Sequence, residues 1–152
     1  MLDLKTVLTP ERTLCRALGA SKKRLFESAA NLISENHSEL TASDVFGSLL
    51  AREKLGSTAL GDGIAIPHCR ISQCIAAVGT LITLEEPIDF DAPDSKPVDI
   101  LFVLLVPEEA QQEHLTILGG LAELLSNKEF CQGLRDASDS QELHRFAVEF
   151  RL

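Results

Sequence analysis

Val98-Asp99-Ile100-Leu101-Phe102-Val103-Leu104-Leu105-Val106 is apolar almost throughout and rich in β-branched residues, and Pro107 follows it directly. A run of this length is far too short to cross a bilayer. It reads instead as a central β-strand buried on both faces, the kind that helices must cover from either side. Upstream, Ala76 to Leu84 has the same character and closes at Glu85-Glu86-Pro87, which predicts a second strand.

Helical spacing surrounds these strands. Ser21 is a candidate N-cap for a helix of about residues 22 to 35, with Leu25, Phe26, Ala29, Leu32 and Ile33 on one stripe. Thr41 opens a capping box with Asp44 at the third helical position, and Val45, Phe46, Leu49 and Leu50 form the stripe of a second helix that ends near Gly56. Beyond the central strand, Glu108 starts a long amphipathic helix whose stripe reads Leu115, Leu118, Leu121, Ala122 and Leu125. Asn127 can cap a short helix with Phe130, Cys131 and Leu134, and Ser140 a last one with Leu143, Phe146, Ala147 and Phe150. Helices on both sides of the strands in sequence predict an α/β sandwich with a mixed sheet flanked by helices.

The 152 residues fit one domain spanning 1–152, long enough to bury a core without metals or disulfides. A net charge of -9 and a pI near 4.8 exclude a general nucleic-acid binder, which needs a basic face. The opening Met1-Leu2-Asp3-Leu4-Lys5 carries no signal-peptide pattern, so the expectation is a cytoplasmic protein without membrane insertion. Cys15, Cys69, Cys74 and Cys131 form no CxxC pair and are expected reduced; Cys15, Cys74 and Cys131 read as small buried hydrophobes.

Between the second helix and the first strand lies GDGIAIPHCR, Gly61 to Arg70, read as a loop with a short extended piece at Ile64 to Ile66, so that a histidine leaves a strand end. Pro67 restricts the backbone before His68, while Gly61 and Gly63 allow tight turns. A neutral imidazole offers a nucleophilic nitrogen at neutral pH, and Arg70 beside it could neutralise phosphoryl oxygens. Arg52, at the end of the second helix, and the hydroxyls of Ser57 and Thr58 could converge on the same anion, or Arg52 could simply serve its helix C-terminus. His114 follows the central strand on the long helix, a position from which it could approach His68, though its sequence neighbours also suit a surface histidine. His37 and His144 have no comparable context. His68, Cys69 and His114 are zinc-type ligands, yet none stands in a metal-binding spacing.

Leu50 to Arg70, LAREKLGSTALGDGIAIPHCR, resembles the active-site block of the fructose/mannitol-type IIA components of the bacterial phosphotransferase system. The opening LDLKTVLTPERTLCRALGASKKRLFESAANLI and the EEAQQEHLTILGGLAELLSN helix extend the resemblance over nearly the whole chain and have the character of the nitrogen-regulatory type. The resemblance implies a phosphocarrier in which His68 accepts a phosphoryl group from a phosphorylated HPr-type protein, Arg52 clamps its charge and His114 orients it; it implies no cofactor. It further implies regulatory targets, kinases or potassium transporters for example, that respond to the phosphorylation state. A sugar-specific IIA component that passes phosphate to a IIB domain is the alternative with the same chemistry, and a binding module that is never phosphorylated is a third reading.

Overall fold

The computed structural model describes residues 2–19, 21–109 and 111–152. In chain order it contains β1 (Thr13–Ala17), α1 (Lys22–Asn36), α2 (Ala42–Leu55), β2 (Ala59–Gly61), β3 (Ile64–Ala65), β4 (His68–Ile71), β5 (Val78–Ile88), β6 (Val98–Pro107), α3 (Gln111–Leu125), α4 (Lys128–Asp136) and α5 (Ser140–Glu149). The sheet order is β1-β5-β6-β3-β2, with β4 also paired to β6. β1 runs parallel to β5, β5 antiparallel to β6, and β3 and β4 both parallel to β6, so the sheet is mixed as expected.

β6 is the spine, and its alternation builds two cores. Leu101, Val103 and Leu105 pack with α1 and α2 residues such as Phe26, Ile33 and Leu49, whereas Ile100, Phe102, Leu104 and Val106 pack with Ile117, Leu121, Phe130 and Leu143 of α3, α4 and α5. Both faces of the strand are therefore dry, which is why its sequence lacks polar alternation.

Several boundaries differ from the sequence expectation. β1 carries no sequence signal, because its pattern Thr-Leu-Cys-Arg-Ala is short, includes an arginine at φ 51° and shifts register between Leu14 and Ala17. β5 runs through Pro87 to Ile88 instead of closing at Glu85. Its pairing with β6 skips from Thr83 to Ile88, so the amide that Pro87 lacks costs no ladder bond. The loop before His68 contains a hairpin: Ala59–Gly61 and Ile64–Ala65 pair across Asp62-Gly63, both at positive φ (56° and 84°), the conformation that an Asp-Gly pair favours in a two-residue turn. The last helix is capped by Asp139, whose carboxylate accepts from Glu142 N at 2.8 Å, not by Ser140.

The long helix is displaced and rotated. It starts at Gln111, leaving Glu108 and Glu109 in the preceding turn, and Ala110 lies outside the described residues. Its buried side chains are His114, Ile117, Leu121, Leu124 and Leu125, while Leu115 is 61% exposed. The stripe thus passes through the histidine and not through the leucine beside it.

Candidate functional site

β3 and β4 lie end to end along one edge of β6, interrupted at Ile66-Pro67. Ile64 and Ala65 pair with Ile100 and Leu101, His68 to Ile71 pair with Leu104 to Pro107, and Pro67 O accepts from Leu104 N at 2.9 Å across the gap. His68 is therefore the first residue of a strand, not a residue leaving one. Parallel partners share a face, so His68 and Arg70 point with Leu104 and Val106 toward the α3 side, and Cys69 points with Leu105 into the opposite core. Strand alternation alone removes Cys69 from the site. Burial pushes its thiol up to about 12, which keeps it protonated and inert at neutral pH.

The second histidine stands on the α3 side. The His68 and His114 rings lie with centroids 5.5 Å apart, tilted by 56°. This is the approach that sequence order suggests. His114 is buried, in contrast to the surface position that its polar neighbours suit, and its Nδ1 has no hydrogen-bond partner. His68 is half-buried, and its Nδ1 lies 2.6 Å from Ile66 O. A carbonyl only accepts, so Nδ1 must carry the proton. In the neutral ring that leaves the lone pair on Nε2.

Both rings are held neutral. Burial lowers the proton affinity of His68 from its ordinary 6.5, the Ile66 carbonyl opposes this, and the Arg52 charge lowers it again while that of Glu53 raises it. Burial lowers His114 likewise, aided by His68 and then Arg70. An unfolded chain takes up protons on both histidines first as pH falls, so the stability that the neutral rings permit is fully present above 6.5 and is lost as pH drops toward their lowered folded values. The melting temperature should accordingly fall between about pH 7 and about pH 5, and His114→Gln, which removes one of the two sites, should fall less over the same interval.

The other predicted residues sort differently. Arg52 donates from Nη1 to Gly56 O at 3.0 Å, capping the end of α2, while its charge still bears on His68. Arg70 is exposed and near enough to His114 to affect its proton affinity. The hydroxyls of Ser57 and Thr58, expected near the anion, are engaged within the protein. The Ser57 hydroxyl donates to Phe90 O at 2.9 Å, and the Thr58 hydroxyl donates to the carboxylate of Glu53 at 2.6 Å. Both hydroxyl protons are therefore committed to acceptors of the chain itself in this structure. Among the described residues no group of three or more metal-ligating side chains clusters, and no helix is long and apolar enough to cross a membrane.

Sequence reasoning missed two groups that bear on His68. One is the Ile66 carbonyl, a main-chain group that no residue type announces. The other is Glu53, present in the sequence only as half of an Arg-Glu pair. Its buried carboxylate also accepts from Lys22 Nζ at 2.9 Å and from Thr58 N at 3.2 Å.

An open mixed sheet between two helical layers places the chain among the α/β proteins, and it carries two imidazoles side by side where β4 begins beside the end of β6. The chain belongs to the family described as "Phosphoenolpyruvate-dependent sugar phosphotransferase system, EIIA 2", whose model matches residues 6–149, and within it to the nitrogen-regulatory IIA group. It is 46% identical over 149 residues to a nitrogen regulatory protein of Pseudomonas aeruginosa, covering 98% of this chain and 97% of the other. A nitrogen regulatory protein of Escherichia coli strain K12 is 42% identical over 149 residues, covering 97% and 91%. The crystal structure of nitrogen regulatory protein IIA-Ntr from Neisseria meningitidis superposes with a TM-score of 0.87 at 45% identity, covering 93% of this chain and 96% of that one. IIA mannitol from Escherichia coli shares the fold with a TM-score of 0.76 at 18% identity, over 92% and 98% of the two chains.

Proposed function

We propose that this protein is a regulatory phosphocarrier: His68 Nε2 accepts a phosphoryl group from a phosphorylated HPr-type protein, and the phosphorylation state governs which partner proteins are bound. The observation that carries this reading is the 2.6 Å contact of His68 Nδ1 with Ile66 O, which fixes the proton on one nitrogen and frees the other. Nε2 attacks phosphorus as the donor's N–P bond breaks and the donor ring recovers its electron pair. No proton leaves His68, so the product ring keeps its Nδ1–H and becomes a phosphorylated imidazolium, whose positive charge the Ile66 carbonyl stabilises.

Phosphoryl transfer needs positioning and charge neutralisation more than covalent help. Arg52 supplies charge from the end of α2. His114 serves as a neutral donor: its buried Nδ1 lacks a partner, which is better tolerated as a lone pair than as an orphaned N–H, so the proton sits on Nε2 and can meet a phosphoryl oxygen. Leu55 and Leu115, on the helices that carry Arg52 and His114, are 84% and 61% exposed, which suits a protein as phosphoryl donor. Regulation is favoured over sugar transport because the full-length relatives above are named nitrogen regulatory proteins, whereas a fructose-specific EIIA component of Haloferax volcanii matches over 101 residues, 66% of each chain.

Incubation with a phosphorylated HPr-type carrier is expected to yield an acid-labile, base-stable adduct. In nitrogen-15 spectra the phosphorus should sit on Nε2 of His68. No adduct, or an adduct on another residue, would overturn the reading.

A further inference from the structure

A hydrogen-bond chain leads from the buried carboxylate of Glu53 to the His68 ring. Lys22 Nζ donates to Glu53 at 2.9 Å, and the Thr58 hydroxyl and amide donate to the same carboxylate at 2.6 and 3.2 Å. Thr58 O then accepts from Ile66 N at 3.0 Å, and Ile66 O accepts from His68 Nδ1 at 2.6 Å. The side chain of Glu53 is only 4% exposed, so its charge acts through a poorly screening interior. Glu53 and Arg52 are neighbours on the last turn of α2, one charge of each sign, and both bear on the proton affinity of the same imidazole.

From this connectivity we infer that Glu53 is a positioning residue for His68: through Thr58 it anchors the Ile66 carbonyl that fixes the ring's tautomer, and its negative charge offsets the ring's gain of positive charge on phosphorylation. It does not touch the phosphoryl group. The arrangement matches in logic the carboxylate that orients and electrostatically supports a nucleophile-assisting histidine in hydrolase triads, with other residues of the chain interposed. The charged and titratable groups that act on His68 are Arg52 and Glu53 from α2 and His114 from α3, with Arg70 on β4 beside His114. Lys22 from α1 holds the Glu53 charge in check. Removing the carboxylate charge and removing its lysine partner should therefore move His68 in opposite directions.

This inference rests on the phosphocarrier reading only for its kinetic part, so the test separates the two. The pH titration and tautomer of His68 are followed by imidazole nitrogen-15 NMR in unphosphorylated wild type, Glu53→Gln and Lys22→Met. Glu53→Gln is expected to lower the His68 titration midpoint and to raise the fraction carrying the proton on Nε2. Lys22→Met, which keeps the apolar stem over Phe90 and removes only the ammonium, is expected to lower the melting temperature and to raise the midpoint in the fraction that remains folded. Phosphorylation of Glu53→Gln by the HPr-type donor should slow by about tenfold or more, by analogy with the loss when the hydrogen-bonding partner behind a metal-ligating histidine is removed. Shifts of the same sign in both variants, or an unmoved His68 in both, would overturn the inference, because a merely structural role changes melting temperature without opposite titration shifts. If the shifts appear but wild type takes no phosphate, the positioning role stands and the phosphocarrier reading falls.

Discussion

His68→Ala is expected to take up no phosphoryl group from the HPr-type donor while melting close to the wild type. The ring is half-buried at the start of β4 and makes one hydrogen bond, to Ile66 O. Losing a single such bond costs about 0.5 to 1.5 kcal/mol. The strand itself is held by main-chain pairing of residues 68–71 with 104–107, which the substitution leaves in place. His114 cannot take over as acceptor. Its Nε2 carries the proton, and the lone pair on Nδ1 is buried out of reach. His114→Ala should instead remain phosphorylatable at His68 but slower by roughly a hundredfold, the loss seen when one preorganised donor to a developing anion is removed. Intact mass after a time course with the donor distinguishes the two: a full-size adduct on His68→Ala would remove the histidine from the mechanism.

The second large effect concerns stability at the spine. Phe102 lies on β6, 2% exposed, and leans over Gly79 of β5; a Cβ at position 79 would come 2.7 Å from Phe102 Cε1 and 3.1 Å from Val7 O. The aromatic ring fills the space that the glycine leaves. Phe102→Ala opens that space in the core beneath α3 and should destabilise by about 3 to 5 kcal/mol. Gly79→Ala overpacks the same space and should cost about 1 to 3 kcal/mol. Because the two share one volume, the double variant should lose clearly less than the sum, since the methyl added at position 79 meets no ring once Phe102 is gone. Denaturant midpoints of the four proteins check the cycle. Strict additivity would show that the glycine and the phenylalanine do not interlock.

The two cores explain how much of the architecture was legible. Val98 to Val106 could be read as a doubly covered strand because burial on both faces leaves a continuous apolar run, and the helices on either side carry caps at Ser21, Thr41 and Asn127 that the structure uses. β1 escaped because it is short and irregular and derives its pairing from β5, a partner distant in sequence. The rotation of α3 escaped for a related reason. Leucines occupy both the buried and the exposed stripe of this helix, so periodicity alone could not choose between Leu115 and a stripe of His114, Ile117 and Leu121. The sheet surface that chooses is formed largely by β6, Leu104 and Val106 included.

The candidate site divides along the same line. From residue types and order come the histidine behind Pro67, the arginine closing α2, the second histidine after the central strand and the family block that joins them. What only tertiary structure decided is which atoms face which. Strand register turns His68 and Arg70 toward α3 and Cys69 away from it. The break at Ile66-Pro67 places a carbonyl 2.6 Å from Nδ1, and the end of α2 buries Glu53 while committing the hydroxyl proton of Thr58 to it. Sequence specifies side chains and local periodicity. Tautomer and charge state depend on main-chain groups and buried charges brought together from distant positions, which no local pattern encodes.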